Sequence, residues 1–418
     1  WIARVCPGAP GCASPVGTWA GIGRSISCGR ILRCGWAGAP EGMKTVTRDP
    51  VRRARVTLLT NTPVPYRVPA LSLLGQDPCI DLTVMYCTGA YIDANLSQAD
   101  VPYRVEFLKG RYWNFDKRFI HLDTGIWRAL RRAQPQVLIT TGFVPTYLMA
   151  FACARRHGVV HVPMTDGTRR SEQGLSVFHR LVRRWVFARS DAFLGTSEGS
   201  LDIYRSYGIA DAHVFKSALC IDNARFLAQP RTRQVDFLFS GRFVAHKNPL
   251  FAMNVARRCA EMLGRKVSLR MLGRGALEPE LRQAAQSMRA LVDVSFDGYL
   301  AQSDLPAAYA DARLFLFPSD WEPWGLVANE ACASGLPVLI GPEGGAAGEL
   351  VVEGDNGRVL PLDIETWAAA AAVLLRDPQA WASMSERSER RVQAFTFERS
   401  AQGMRDAIAH ALGEGRPA

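Results

Sequence analysis

From Arg55 onward, short runs of β-branched and other apolar residues alternate with longer stretches in which apolar positions recur every three to four residues. Strand-like runs separated by helix-period runs predict strands joined by crossover helices, and so a doubly wound parallel sheet. In the first half the strand signal falls on residues 55–61, 80–86, 136–140, 159–164 and 191–195. Between the third and fourth lies a predicted helix over 143–157, opened by Pro145, whose missing N–H costs nothing in a first turn, and closed by Gly158. The second half restarts the alternation, with strands at 236–240, 267–272, 292–296, 313–318 and 337–340 and helices at 249–263, 278–288 and 325–334. Gly335 followed by Pro337 is a helix stop. Weak periodicity and Pro230 place a boundary within 219–234, and helices at 364–375, 378–390 and 397–412 complete the pattern.

A chain of 418 residues exceeds one ordinary core and suits two domains. These are expected at 43–225 and 226–395, with 396–418 as a closing helix. Residues 1–42 differ from the rest: rich in Gly, Ala, Pro, Ser and Cys, without periodicity, and without the flanked apolar core of a signal peptide. They are read as a disordered leader or upstream extension, the alternative being a zinc site or disulfide knot of Cys6, Cys12, Cys28 and Cys34. Cys79, Cys87, Cys153, Cys220, Cys259 and Cys332 sit singly in apolar or element-end contexts, as reduced thiols of a cytoplasmic protein do. No apolar run of about 18 residues is present to span a bilayer. A net charge of +11 favours anionic partners, whether a phosphorylated substrate, a phospholipid surface or nucleic acid.

The stretch Trp321-Glu322-Pro323-Trp324-Gly325-Leu326-Val327-Ala328-Asn329-Glu330 places two carboxylates around a loop-to-helix junction. Free backbone N–H groups at such a helix start suit a pyrophosphate. A carboxylate about two turns in can accept both hydroxyls of a ribose, and one before the helix can bond sugar hydroxyls. On spacing alone a surface helix with a capping acid and a solvated Glu is the competing reading. Upstream, Ser240-Gly241-Arg242-Phe243-Val244-Ala245-His246-Lys247-Asn248 leaves a predicted strand at the sheet edge where open α/β folds bind ligands. Arg242 and Lys247 there suit the charge growing on a departing diphosphate. Gly273-Arg274-Gly275, Gly298-Tyr299-Leu300 and the 341–345 loop with Glu349 face the same rim.

Together with Gly335-Leu336-Pro337-Val338, these motifs make the second half resemble the donor domain of glycosyltransferase family 4, retaining enzymes of GT-B fold; the resemblance runs from about Val56 to the C-terminus. It implies two Rossmann-like domains facing across a cleft and a last helix, from Phe397, crossing back to the first. It implies a hexosyl- or glycosyltransferase working without cofactor on a UDP- or GDP-linked sugar. Arg242 and Lys247 would contact the diphosphate, Glu330 the ribose, Glu322 the transferred sugar, and Gly298 to Leu300 the base. Gly273, Trp324, Gly325 and Leu326 would complete the donor site. The acceptor, a glycan or lipid-linked molecule of cell-surface polysaccharide or glycolipid synthesis, would lie against the first domain. There Asn61-Thr62-Pro63-Val64-Pro65-Tyr66-Arg67-Val68-Pro69 resembles the family's opening loop. Many relatives carry a histidine where this chain has Thr165-Asp166-Gly167, so Asp166 either replaces it in catalysis, binds acceptor hydroxyls, or caps the next segment.

The seven histidines are scattered, without acidic or Cys partners at ligand spacing, and no Asp-x-Asp triplet follows a strand, so no metal is expected. Residues 178–187 form an amphipathic basic helix, either packed in the core with a solvated basic face or touching an anionic membrane at the cytoplasmic side. Two rival classes stand beside the transferase: a GT-B nucleotide-sugar epimerase, and a basic nucleic-acid-binding protein. The second lacks aromatics interleaved with its arginines, so no nucleic acid is expected.

Overall fold

The computed structural model describes residues 53–88, 100–115 and 118–413; the 1–42 segment, and the leader reading with it, lies outside them. The first half contributes β1 (Ala54–Thr60), β2 (Ile80–Tyr86), β3 (Arg104–Phe107), β4 (Arg111–Phe115), β5 (Arg118–Leu122), β6 (Val137–Thr140), β7 (Val160–Thr165), β8 (Phe193–Gly195) and β9 (Val214–Lys216). A seven-stranded parallel sheet runs β3-β2-β1-β6-β7-β8-β9, and β4 pairs with β5 as an antiparallel hairpin. Successive side chains along a strand face opposite sides. Thus Val56, Leu58, Val84 and Ile139 enter one core with Met404, Ala407 and Ile408, while Leu59, Met85 and Leu138 enter another with Leu130, Tyr147 and Ala150. Both faces are covered, which is why these strands read as nearly continuous apolar runs.

The second half contributes β10 (Val235–Ser240), β11 (Val267–Leu272), β12 (Val292–Gly298), β13 (Ala312–Phe317), β14 (Val338–Ile340) and β15 (Gly357–Val359). They form a six-stranded parallel sheet in the order β12-β11-β10-β13-β14-β15, again with a core on each face. The boundary follows β9: Asn223 already bonds the Val392 and Phe395 carbonyls at 3.1 and 3.0 Å, and Phe226 enters the second domain's core. The final helix, Phe397–Ala411, then packs under the first sheet. Arg405 holds it to the Asp77 carboxylate at 2.7 Å, and Gly403 lets it approach so closely that a Cβ there would strike the Lys216 carbonyl.

The predicted strands and crossover helices form, while β3, β4, β5, β9 and β15 are additions. β9 and β15 have three residues each, and β3 has exposed ends, so pairing to a neighbour rather than apolar content makes them strands. The helix Val177–Phe187 also forms and packs on the core through one side, but its outer face is apolar as well as basic. Val186 and Phe187 are buried, whereas Val177, Phe178, Leu181 and Trp185 face outward. Among the described residues no helix is long and apolar enough to cross a membrane.

Candidate functional site

In the second sheet the chain runs from β10 outward to β11 and β12 on one side, then returns to β13 on the other. The loops after β10 and β13 therefore part above the sheet's carboxyl edge and open a crevice. Asn248 ties the two together, its amide donating to the Pro318 carbonyl at 3.0 Å and to the Asp320 carboxylate at 2.5 Å. Across the crevice Lys247 and Glu322 meet as an ion pair, their side chains only 8% and 3% exposed. The Lys247 ammonium also lies 5.9 Å from the centre of the Phe317 ring. Charges removed from water to this degree are tolerable only when each satisfies the other. Arg242, on the same loop, is partly buried.

Glu322 is fixed through its backbone as well, its N–H donating to the Glu343 carbonyl at 3.1 Å and its carbonyl accepting from the Gly345 N–H at 2.9 Å. Gly345 lies so close that a Cβ would strike the Pro323 carbonyl, which lays the 341–345 loop over the 322 loop. Gly325, at φ +95°, turns the chain into the Leu326–Ala333 helix where a side chain would collide with Phe317. No side chain caps that helix, so its first N–H groups remain able to bind an anion. Because the helix starts at Leu326, Glu330 sits about one turn in rather than two. Its carboxylate accepts from the Tyr309 hydroxyl at 2.6 Å. Burial pushes its pKa up to about 7, against the lowering effects of that bond and of Arg225.

The remaining expected donor residues divide. Gly273 is held at φ +130° with its N–H on the Gly298 carbonyl at 2.8 Å, and a Cβ there would strike the Gly241 carbonyl. Three rim loops thus converge. Tyr299 is 68% exposed beside them, and Leu300 packs partly on the core. Trp324 turns away: it is 1% exposed, donates to Asn329 Oδ1 at 2.7 Å and lies 5.3 Å from the Phe395 ring. Its side chain is a core element, and only its backbone belongs to the rim.

The first domain closes on this crevice. Arg170 donates to the Asp320 carbonyl at 2.7 Å and pairs with Glu343 at 3.3 Å, and the Trp321 indole donates to the Thr168 hydroxyl at 3.1 Å. Glu349 accepts from the Glu198 N–H at 2.7 Å and from the Lys216 ammonium at 3.0 Å. Asp166 stands at the end of β7 with its side chain 56% exposed, 3.8 Å from the Arg67 guanidinium. It does not cap the next segment: Thr168 and Ser171 form the capping box of the Arg169–Gln173 helix. Among the described residues no group of three or more His, Cys, Asp and Glu side chains is placed to hold a metal ion.

Residues 221–391 match the family model described as "Glycosyl transferases group 1", and residues 82–216 match "Glycosyltransferase Family 4". The chain belongs to glycosyltransferase family 4. This family 4 protein is 31% identical over 206 residues to the glycogen synthase of Mycobacterium tuberculosis, covering 48% of this chain and 49% of that one. It is also 31% identical over 213 residues to the GDP-mannose-dependent alpha-mannosyltransferase of Corynebacterium glutamicum, covering 49% of each. The chain thus spans about half the length of the curated relatives it matches. Among solved structures, Anabaena HepE in complex with UDP superposes with a TM-score of 0.68 at 17% identity, over 85% of this chain and 99% of that one. Sucrose-phosphate synthase from Thermosynechococcus elongatus superposes with 0.61 at 17% identity, over 86% and 99%. Those likenesses are of fold, and the fold is GT-B.

Some site residues of this family 4 protein escaped sequence reasoning. Tyr309 lies on a helix 21 positions from Glu330, and nothing in its surroundings marks it. The clasp of Thr168, Arg170, Lys216 and Glu349 is equally silent, although Glu349 accompanies a rim loop in the sequence.

Proposed function

We propose that this family 4 protein is a retaining glycosyltransferase that moves a sugar from a nucleotide-sugar donor in its second domain to a glycan or lipid-linked acceptor against its first. The observation that carries this reading is the convergence, at one switch point of the second sheet, of Arg242, the buried Lys247–Glu322 pair and Glu330. Arg242 and Lys247 receive the diphosphate, aided by the uncapped helix start at Gly325 and Leu326. Glu330 accepts the ribose hydroxyls, Glu322 the hydroxyls of the transferred sugar, and the 298–300 loop edges the base. HepE was solved with UDP, and the Corynebacterium relative is named for GDP-mannose, which supports a donor of either base.

Among the described residues no carboxylate or thiol stands out as a nucleophile, and in this reading the acceptor oxygen attacks the anomeric carbon on the face the diphosphate leaves. The carbon–oxygen bond to phosphate breaks as the new glycosidic bond forms, and the acceptor proton passes to the departing phosphate oxygen. Arg242 and Lys247 offset the charge that develops, in the role a divalent cation would otherwise fill. The interdomain contacts of Arg170, Trp321 and Glu349 support a closed state that keeps water out.

A thermal-shift screen with UDP-, GDP-, ADP- and TDP-sugars, followed by calorimetry on any hit, tests the donor site. A folded chain that binds none of them ends this reading. The same hit incubated without acceptor tests the epimerase alternative, which would convert the free nucleotide sugar.

A further inference from the structure

The Val177–Phe187 helix is buried on one side only. Val186 and Phe187 join the cluster of Phe151 and Tyr204, and Arg183 is held by Glu172 at 3.1 Å and by the Phe143 ring at 4.4 Å. On the other side Val177, Phe178, Leu181 and Trp185 form one stripe, exposed by 71%, 70%, 58% and 45%. An isolated exposed leucine is ordinary; a continuous stripe of large apolar side chains needs a cover. Arg180 and Arg184 border it on one side and Arg189 on the other, the last 5.6 Å over the Trp185 ring. Arg180 donates to the Leu175 carbonyl and Arg189 to the Trp185 carbonyl, bonds that leave their charges uncancelled.

The neighbours carry the same sign. Trp185 packs edge-on to Phe151 of the Pro145–Arg156 helix at 5.0 Å, and that helix shares a core cluster with Ile126–Ala133. These three adjacent helices contain no Asp or Glu, against three arginines in Ile126–Ala133, two in Pro145–Arg156 and three in Val177–Phe187. Trp127, on the first, is also 54% exposed.

We propose that this helix layer docks on an anionic phospholipid bilayer, with Phe178, Leu181 and Trp185 entering the interfacial region and the flanking arginines meeting lipid phosphates. An apolar face rimmed by arginine with an indole at its edge is the chemistry that such an interface recognises. A second copy of the chain is a poorer cover, because a two-fold interface would set the arginines that border the stripe, Arg180, Arg184 and Arg189, against their own copies. Docking stands independently of the proposed reaction and supplies it with a route to a lipid-linked acceptor. The stripe begins four residues after the Arg169–Gln173 helix, whose Arg170 reaches Asp320 and Glu343 across the crevice.

The test is co-sedimentation of the full chain with vesicles of phosphatidylcholine alone or mixed equally with phosphatidylglycerol. The expected result is binding to the mixed vesicles, little to phosphatidylcholine alone, and loss with added salt. Phe178→Ser, Leu181→Ser and Trp185→Ser combined should lower partitioning roughly 100-fold, and Arg180→Gln with Arg184→Gln about 30-fold. Nucleotide-sugar binding should be unchanged in both variants, and thermal unfolding unchanged in the arginine pair; the triple variant should melt slightly lower, because it loses the Trp185 contact with Phe151, and still unfold cooperatively. Wild-type protein that ignores both vesicles, or a triple variant that binds as well as wild type, overturns the proposal. So does a dimer that the triple substitution dissolves, which would make the face a protein interface. Vesicle binding that persists in a chain that binds no nucleotide sugar would upset the proposed reaction and leave docking standing.

Discussion

Acidification should weaken nucleotide-sugar binding through Glu330. Burial pushes its carboxyl from the ordinary 4.5 up to about 7. A ribose presents two hydroxyl donors, so the bound form calls for the ionised, acceptor-only carboxylate. With a pKa near 7, only about 3% of the free protein carries that form at pH 5.5, and nearly all of it does at pH 8.5. Affinity should therefore fall about 30-fold between those limits, equivalent to about 2 kcal/mol. A nucleotide sugar, rather than a nucleoside diphosphate, is the correct ligand, since its diphosphate lacks a terminal phosphate that titrates in the same range. Calorimetry in two buffers of different ionisation enthalpy should also detect close to one proton released per complex at the acid end. Glu330→Gln should bind weakly at every pH and show no such slope. Tyr309→Phe, lacking the bond that lowers the pKa, should move the midpoint upward. The same carboxyl makes the stability of the unliganded chain depend on pH. A carboxyl that titrates higher when folded contributes stability that is fully present below about 4.5 and is lost as pH rises through about 7. Glu330→Gln should accordingly gain on wild type as pH rises through that window. Flat wild-type affinity from pH 5.5 to 8.5, or the same slope in Glu330→Gln, refutes the role assigned to this carboxylate.

Lys247→Ala strands the buried Glu322 carboxylate and should cost about 3–5 kcal/mol in urea unfolding, most of it recovered when Glu322→Gln is added; additive costs would deny the pairing. Transfer activity should survive excess EDTA, and activity lost on chelation and restored by manganese or magnesium would overturn the cation role of Arg242 and Lys247. Asp166→Asn should lower kcat far more than it raises donor KM, because a carboxylate orienting the acceptor acts chiefly in the transition state; wild-type kcat would reduce Asp166 to a partner of Arg67.

The sequence by itself determined the layers. Apolar runs such as 80–86 and 136–140 could be satisfied only by burial on both faces, and Pro145, Gly158 and Gly335 marked helix ends through their own backbone restrictions. Arg242, Lys247, Glu322 and Glu330 were legible for a related reason: strand-to-helix loops of a parallel sheet must surface at one edge, so their order along the chain already groups them. The family resemblance added roles that spacing left open. Tertiary structure alone decided which of these groups touch. Lys247 finds Glu322 across 75 positions, Tyr309 governs Glu330 from another helix, and Trp324 turns inward to Asn329 although its neighbours line the rim. It also decided the fate of the Val177–Phe187 helix, whose periodicity announced an apolar face without saying what that face would meet. Periodicity reports a side chain's direction relative to its own element. Contact depends on how elements are packed, and that is set by the whole core at once.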